Sequence, residues 1–443
     1  MRLKTCDPSF PETLDHLLTP QLWKQAHQAW TKHHQPWRWK LKPLLWVLLR
    51  MAWCNGDSQE ERFATARAAY VAAHPRERRP GETLAGFLQA LAKLPMPVLR
   101  ALGAGIREQI GDRFVEPLRI NGLLPIACDG ARSECPRAEE LQERLGQAGK
   151  ADSAPMVYLT AMVLLPLGLP WAWRWGKGTA SEHTHLRDLL PTLPERSLIV
   201  ADAGYLGYEL FLAILQAAAS FLVRLSSRAY LYTESQTPLQ RFREGIVYYW
   251  PTKIRQRGLP PIKARLVRVR GKHCDVWLLT NVLDRKQLSR KTAARIYRWR
   301  WRNEGLFRDY KRLLKKTKLY SRTVKLVHRE ADGALLALQL LLFLAAPPAR
   351  DGQAGTIVLD SPRRTLLRLR GDIAALLYRL GPRQFADYQR RLAVVRSEPY
   401  CRSGTKSRQE WPRRKEHKPP KAPKMRRLTA ALKRRIASHL KAA

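Results

Sequence analysis

Between residues 123 and 224 the chain alternates short apolar runs with Gly and Pro, a pattern that leaves few folds open. Runs of four to ten residues bounded in this way are typical of strands. Five runs have this character: Leu123–Ala127, Met156–Leu165, Leu169–Trp175, Leu198–Ala201 and Phe221–Arg224. A helical stretch at Tyr208–Ala219 separates the last two. Strands followed by a strand–helix–strand unit predict an α/β fold built on a mixed sheet.

The charge of the chain limits what it can act on. It has 80 Lys and Arg residues against 37 Asp and Glu, a formal net charge of +43 at pH 7. Such an excess destabilises a compact fold by self-repulsion. A polyanionic partner relieves the repulsion, because basic side chains release the counterions condensed on phosphates. The composition therefore favours nucleic acid as the partner and disfavours a small neutral substrate.

A membrane surface is the weaker alternative for the basic excess. The most apolar stretches, 44–54 and 334–346, contain Arg50 and Gln339 and fall short of the ~20 apolar residues that span a bilayer. We expect no signal peptide. The six cysteines have no spacing typical of zinc, so we expect reduced thiols. Together these features predict a cytoplasmic protein without a membrane partner.

Three parts of the chain differ in composition. Residues 1–118 are predicted to be helical and carry six Trp, and we expect a helical DNA-binding domain there. Residues 119–347 contain the predicted sheet, with a β-rich insertion at about 228–284 where apolar and polar residues alternate. Residues 348–443 form a basic C-terminal region that we expect to be partly disordered.

Two carboxylates follow the apolar runs of the predicted sheet. Asp129 comes directly after Cys128 and precedes Gly130, and Asp202 follows the run that ends at Ala201. Ligands and metal ions gather at strand ends in α/β sheets. Either Asp by itself could be an ordinary turn residue, but two in one sheet favour a shared site.

A third carboxylate lies in a predicted helix from 285 to about 318. Tyr297 is followed after three, seven and fourteen positions by Arg300, Glu304 and Lys311. At 3.6 residues per turn, the four directions fall within about 60° of arc. One helical face would then present an acid between an Arg and a Lys. A solvated basic face with one Glu is the alternative on spacing alone.

Three such carboxylates suit phosphodiester chemistry. Two divalent ions about 3.5–4 Å apart can activate a hydroxyl nucleophile and stabilise the leaving oxygen. Oxygen ligands select Mg²⁺, or Mn²⁺, over zinc. We therefore predict that Asp129, Asp202 and Glu304 hold two Mg²⁺ ions, with Glu182 as the main rival of Glu304.

The spacing Tyr-x2-Arg-x3-Glu-x6-Lys resembles the signature of the DDE transposases of bacterial insertion sequences, in the large group named after insertion sequence four. Its positions are filled here by Tyr297, Arg300, Glu304 and Lys311. The block at Asp129-Gly130 and the stretch 197–224 also resemble the blocks around that family's first and second Asp. The similarity covers roughly residues 120–345. Asn303 departs from it, because an apolar residue is commoner before the Glu.

The resemblance implies a ribonuclease H-like catalytic domain with a β-rich insertion between the second Asp and the Glu. It implies metal-dependent cleavage at transposon ends, followed by attack of the freed 3′-hydroxyl on target DNA. Tyr297, Arg300 and Lys311 would grip phosphates of double-stranded DNA. A homodimer would bridge two ends, and the N-terminal domain would recognise terminal repeats. A flipped base would stack on a planar side chain, and the candidates are Trp250, Trp277, Trp299 and Trp301.

Two other functions remain open on the sequence. A domesticated DDE-type nuclease would cut DNA without strand transfer, and nothing in the sequence separates it from a transposase. A non-catalytic basic nucleic-acid-binding protein would need no carboxylate triad, and its binding would survive the loss of Glu304. The presence of all three acids disfavours this second alternative.

Overall fold

The computed structural model describes residues 17–30, 38–146, 153–165, 167–271, 274–346, 359–397 and 421–441. Its centre is one sheet of ten strands in the order β10-β6-β7-β8-β9-β5-β4-β1-β2-β3. The strands are β1 Leu124–Glu134, β2 Met156–Leu164, β3 Leu169–Lys177, β4 Ser197–Ala201, β5 Ser220–Arg224, β6 Tyr230–Thr233, β7 Glu244–Tyr249, β8 Ile262–Val269, β9 Val276–Thr280 and β10 Lys424–Arg427.

The sheet mixes parallel and antiparallel pairs. β1, β4 and β5 are parallel neighbours, whereas β2 and β3 continue from β1 as antiparallel strands. The five runs predicted as strands from the sequence all form strands, and the prediction of a mixed α/β fold is confirmed. The strands of the segment predicted as a β-rich insertion, β6 to β9, extend this same sheet because β9 pairs with β5.

Helices cover both faces of the sheet. Those before it are α1 Pro20–Trp30, α2 Leu41–Trp53, α3 Gln59–Ala73, α4 Leu84–Lys93 and α5 Met96–Phe114. Between β1 and β9 the chain forms α6 Glu139–Leu145, α7 Glu182–Leu189, α8 Tyr208–Gln216 and α9 Thr252–Gln256. Between β9 and β10 it forms α10 Arg290–Trp299, α11 Arg302–Arg308, α12 Val324–Leu344, α13 Pro362–Leu377 and α14 Pro382–Ser397, and after β10 it forms α15 Ala430–Lys441. Within the described ranges, none of these helices has both the length and the apolar character to cross a membrane.

The N-terminal helices share an apolar core with α12. α2 buries every residue except Lys42, and the indole of Trp53 donates a hydrogen bond to the Ala337 carbonyl at 3.1 Å. Gly333 lets the two helices approach, since a Cβ there would come 2.7 Å from Leu48 Cγ. The described helices between 20 and 114 agree with the helical character predicted for residues 1–118, and the boundary at 118 stays a prediction.

The long helix predicted from 285 to about 318 is wrong. α10 ends at Trp299, a tight turn at Arg300 and Trp301 follows, and α11 leads into a π-helical turn at Asp309–Leu313. The reason is packing on two different apolar clusters. α10 buries Ile296 and Tyr297 against one side of the sheet, whereas α11 buries Leu306 and Phe307 in the main core. One straight helix could not serve both clusters.

The C-terminal region is more ordered near its end than its composition predicts. β10 pairs in parallel with β6, and α15 follows it with Ile436 buried. The strand β10 was not predicted from the sequence. The basic stretch from about 402 to 420 lies outside the described residues.

Candidate active site

Asp129 and Asp202 lie side by side in the middle of the sheet. The last registered pair of the parallel strands β1 and β4 is Ala127 with Val200. Two residues further along both strands, the same register brings Asp129 next to Asp202. The tertiary structure therefore places the first two predicted acids together, as the sequence-based argument from strand ends requires.

The backbone around both acids is fixed. β1 does not end at Cys128 as predicted but continues to Glu134, because Asp129 and the residues after it pair with β2. The Asp129 Oδ1 accepts a hydrogen bond from the Gly130 N–H at 2.8 Å. Asp202 ends its strand and caps a short 3-10 turn, where its Oδ1 accepts from the Gly204 N–H at 2.8 Å.

Arg300 is the basic residue next to these acids. Its Nη1 donates to Asp129 Oδ2 at 3.2 Å, and the guanidinium lies 5.7 Å from the centre of the Tyr297 ring. Tyr297 is buried, and burial raises the pKa of its hydroxyl while Arg300 and Arg224 lower it. Two of the four signature residues therefore lie beside the aspartates, and they come from the end of α10.

Burial raises the pKa of Asp129 to about 6 from an ordinary value of 3.8. The Gly130 N–H and the Arg300 guanidinium lower this pKa, whereas the Asp202 and Glu182 carboxylates raise it further. An ionised carboxylate that burial and neighbouring acids destabilise gains most from a cation placed beside it. The electrostatics of the pair therefore fit a divalent metal ion.

Glu182 is a third acid close to the two aspartates. It begins α7, and its carboxylate accepts a hydrogen bond from the Tyr158 hydroxyl. A Cβ on Gly204 would lie 3.0 Å from Asp202 Oδ1 and 3.4 Å from Glu182 Oε2. A Cβ on Gly130 would lie 1.8 Å from the Tyr158 hydroxyl. Glycine at both positions thus leaves the space in which Glu182 and Asp202 approach each other.

Glu304 is not part of this group. It is exposed on α11 and lines an open groove of about 1110 Å³ together with Arg302, Arg308 and Lys311. The preceding residue, Asn303, points inward instead and is fully buried. In the described part of the chain neither its Oδ1 nor its Nδ2 has a hydrogen-bond partner.

The single face predicted for the four signature residues is therefore not present. That prediction assumed one continuous helix, and the turn between α10 and α11 changes the direction of every later side chain. Lys311 lies in the π-helical turn and lines the groove with Glu304, where burial lowers the pKa of its ammonium group.

Across the described ranges, no three His, Cys, Asp or Glu side chains converge as the ligands of one metal ion. Asp129 and Asp202 supply two carboxylates in register. A site with three carboxylates requires movement of Glu304 or of Glu182 toward them. Sequence reasoning named both candidates; it had no means of placing α7, on which Glu182 lies, beside the strand ends.

The four Trp candidates for stacking a flipped base differ in exposure. Trp250 and Trp277 are buried, and Trp299 is half-buried beside the Arg295 guanidinium. Trp301 is 62% exposed, at the turn before α11. Of the four rings, only that of Trp301 is open enough to stack on a base.

Comparison with known proteins gives one family match. Residues 129–340 match the family model described as the transposase DDE domain. No curated protein sequence matches significantly. Among solved structures, the chain is similar to the cryo-EM structure of the piggyBac transposase synaptic complex with hairpin DNA, at 10% identity and a TM-score of 0.44, over 92% of this chain and 89% of that chain.

Proposed function

We propose that this DNA transposase, in which residues 129–340 match the transposase DDE domain, cuts and joins DNA at Asp129 and Asp202, with Glu304 as the third carboxylate. The observation that carries the site is the register of β1 and β4, which sets the two aspartates next to each other inside the matched domain. The Tyr-x2-Arg-x3-Glu-x6-Lys spacing supports the group named after insertion sequence four.

The proposed catalytic domain is ribonuclease H-like. Strands β3-β2-β1-β4-β5 carry the first two acids on adjacent parallel strands. In the sequence, strands β6 to β9 lie between Asp202 and Glu304. This order supports the arrangement that the resemblance implies, with a β-rich segment between the second Asp and the Glu.

The proposed cofactor is Mg²⁺, or Mn²⁺ in its place, as two ions. Asp129 and Asp202 offer the oxygen ligands that these ions prefer. Burial, with a smaller contribution from the neighbouring acids, raises the pKa of Asp129, and a cation beside it would favour the ionised form. When bound, such ions activate a hydroxyl nucleophile and stabilise the leaving oxygen.

The role of Arg300 follows from its contact with Asp129. Its guanidinium holds one carboxylate oxygen, and a DNA phosphate that enters the site offers the same two-oxygen geometry. Arg300 can exchange the carboxylate for the phosphate and so position the DNA, together with Tyr297. Lys311 would bind a phosphate from the neighbouring groove.

For Glu304 to bind the same metal ions as the two aspartates, α11 must change its orientation, because Glu304 faces the groove. The turn at Arg300 and Trp301 precedes α11, and the π-helical turn Asp309–Leu313 follows it. Such π-helical turns accommodate one extra residue and often mark functional sites. Such a change would take Asn303 out of a position where its amide has no partner, and this gain offsets part of the cost of moving Leu306 and Phe307 in the main core.

Glu182 is the second candidate for the third carboxylate. The observation that favours it is its present position, since Asp129 and Asp202 already interact with it whereas Glu304 faces the groove. Tyr158 donates its hydrogen bond to Glu182 Oε1 only, whereas Oε2 is the oxygen that lies near Asp202. If Glu182 is the ligand, that hydrogen bond can remain and α11 can stay where it is.

The deciding experiment compares Glu304→Gln and Glu182→Gln with the wild type. Each change removes one charge and nearly keeps the shape. We would measure Mn²⁺ binding to the full chain by electron paramagnetic resonance, and Mg²⁺-dependent cleavage of a supercoiled plasmid that carries the element's own ends. We expect Glu304→Gln to bind DNA normally, to bind Mn²⁺ at least tenfold more weakly and not to cut, whereas Glu182→Gln cuts. The reverse result assigns the role to Glu182, and wild-type metal binding by both variants contradicts the site.

The products of the same assay test the reaction itself. A transposase cuts at the ends and joins them to a target plasmid. A domesticated nuclease gives cut ends without joined products, and DNA binding without cutting by the wild type indicates a non-catalytic protein. We also propose that the protein acts as a homodimer on double-stranded DNA, that the N-terminal helices recognise the terminal repeats, and that it resides with the bacterial nucleoid.

A further inference from the structure

A basic groove lies on the half of the sheet formed by β6 to β9. It opens between the start of β7, the end of β8 and the start of α10, and its volume is about 820 Å³. Among the described residues that line it there is no carboxylate. The cations that line this basic groove are Arg241, Arg243, Arg268, Arg270, Arg290 and Lys291.

Arg268 has a structural role in the wall of the basic groove. Its guanidinium bonds to the Asp275 carboxylate and to the Gln240 carbonyl, and lies 5.3 Å from the centre of the Trp277 ring. The other five cations are exposed. Within the part of the chain that the structure describes, none of the five takes part in an ion pair. Five like charges without counterions repel one another, and a row of phosphates would relieve that repulsion.

The basic groove is held rigidly to the active site. Arg265 is buried, and it bonds to the Glu244 carboxylate at 2.9 Å and to the Leu288 carbonyl, which fixes the segment before α10 on the sheet. α10 then packs on β8 and β9 through Ala293 and Ile296. The helix that starts in the basic groove therefore ends at the aspartates, and the two sites keep a constant separation.

We propose that the basic groove binds the sugar-phosphate backbone of double-stranded DNA beside the phosphate that is cut at Asp129 and Asp202. This inference rests on the proposed function of that site. From Arg290 to Arg300 the helix rises about 15 Å. Each strand of a duplex carries one phosphate per about 3.4 Å of its axis, so for DNA that runs along α10 the contacts fall about four base pairs from the scissile position. Contacts to phosphate set the register of the DNA and carry no sequence information.

The test compares two double variants, one that neutralises two cations of the basic groove and one that neutralises two cations elsewhere on the same half of the sheet. The groove variant is Arg243→Gln with Lys291→Gln. The matched control is Lys253→Gln with Lys263→Gln, because both lysines are exposed, neither lines the basic groove, and the same charge is removed. DNA binding by the full chain is measured in EDTA, which prevents cleavage, with short duplexes labelled for fluorescence anisotropy.

We expect the groove variant to bind DNA about tenfold more weakly at moderate salt, and the slope of log K against log salt to fall by about 1–2. In the control variant, the slope of log K against log salt should change by less than half as much. Equal losses in the two variants would mean that only net charge matters and would overturn the proposal. Thermal unfolding of both variants shows whether either has lost its fold, and Arg270→Gln with Arg290→Gln then provides a second groove pair.

Ethylation of single phosphates locates the contact and identifies which DNA uses it. One duplex carries the element's terminal repeat and its flank, and the other has an unrelated sequence that represents target DNA. We expect interference about four base pairs from the cut position on one of the two duplexes, and loss of that interference in the groove variant only. Interference that is unchanged in the groove variant on both duplexes contradicts the proposal. Cleavage by the wild type is independent of that outcome, so failure of the groove and failure of the catalytic site are distinguishable.

Discussion

Glu330 shows how a single buried charge fixes the segment that follows the π-helical turn Asp309–Leu313. Its carboxylate accepts hydrogen bonds from Lys316 Nζ at 2.7 Å and from the Tyr320 and Ser321 N–H groups at 3.0 and 2.9 Å. Burial by itself would raise the pKa of Glu330, but Lys316 and the Ser321 donors hold it below its usual value. The segment that follows the π-helical turn is thereby tied to α12.

We expect Lys316→Met to lower the free energy of unfolding by about 3–5 kcal/mol, because it leaves Glu330 buried without its cation. The neighbouring Lys315 gives a matched control. It pairs with Asp57 at 2.7 Å, but 92% of the Asp57 side chain is exposed, so Lys315→Met should cost less than about 1 kcal/mol. Urea denaturation of both variants checks this difference, and equal losses would contradict it.

Asp332 predicts a pH dependence of stability. Burial raises its pKa to about 6, although Trp173 Nε1 donates to its Oδ1 at 2.8 Å and Arg100 lies nearby. A raised pKa means that the folded state binds the proton more tightly than the unfolded chain. The stabilisation is therefore complete below about pH 4 and is lost as the pH rises through about 6.

The measurement is the unfolding midpoint of the wild type and of Asp332→Asn at several pH values. The variant keeps the shape and an acceptor for Trp173 but does not titrate. We expect the stability of the wild type relative to Asp332→Asn to fall by about 2–3 kcal/mol between pH 4 and pH 7. Parallel curves for the two proteins would show that Asp332 does not titrate in this range.

At the scale of elements, the break between α10 and α11 decides which side chains meet. α10 delivers Tyr297 and Arg300 to the aspartates, and α11 turns Glu304 into the groove. Each of the two helices packs on a different apolar cluster. The position of Glu304, the proposed third carboxylate, therefore depends on a short helix between two irregular turns.

Replacement of Asn303 tests whether α11 buries an amide without a hydrogen-bond partner. Its amide is fully buried without a partner among the described residues, so we expect Asn303→Leu to raise the free energy of unfolding by about 1–2 kcal/mol. Gln339 is the matched control, because it is equally buried but donates to the Pro170 carbonyl at 3.0 Å. Gln339→Met should therefore be destabilising. Thermal unfolding separates the two, and a loss of stability in Asn303→Leu would mean that its amide is satisfied in solution.

At the scale of the whole molecule, the C-terminal strand covers the edge of β6 and replaces it with a basic edge strand. β10 pairs with β6, and Leu428 and Ile436 bury their side chains behind it. Unpaired strand edges invite pairing with other chains. The basic C-terminal region thus contributes to the fold as well as to the positive charge.

Removal of residues 421–443 should expose the edge of β6 together with the apolar surface that Leu428 and Ile436 cover. We expect a lower unfolding temperature and concentration-dependent aggregation, which light scattering detects. Replacement of Lys433 by Gln serves as a control, since it removes charge from α15 without exposing the edge. A truncated protein that stays monomeric with an unchanged unfolding temperature would show that β10 contributes nothing to stability.

Local sequence patterns determined the central strands and the candidate acidic residues of the site. Short apolar runs bounded by Gly and Pro predicted five strands correctly, because strand formation follows from period and turn residues that neighbour each other in the chain. The basic excess indicated nucleic acid, the ends of predicted strands singled out Asp129 and Asp202, and the motif spacing singled out Glu304. The first two of these meet through the parallel pairing of β1 and β4. No local pattern encodes that pairing, because β2, β3 and α7 separate the two strands in the chain.

Only the tertiary structure decided how the third carboxylate stands relative to the first two. Helical spacing assumes one axis, and the axis changes at Arg300 because α10 and α11 pack on different apolar clusters far apart in sequence. Glu182 comes close to Asp202 through the packing of α7, which no local pattern encodes. The sequence by itself thus determined which residue types are available for the reaction, whereas long-range packing decided which of them face one another.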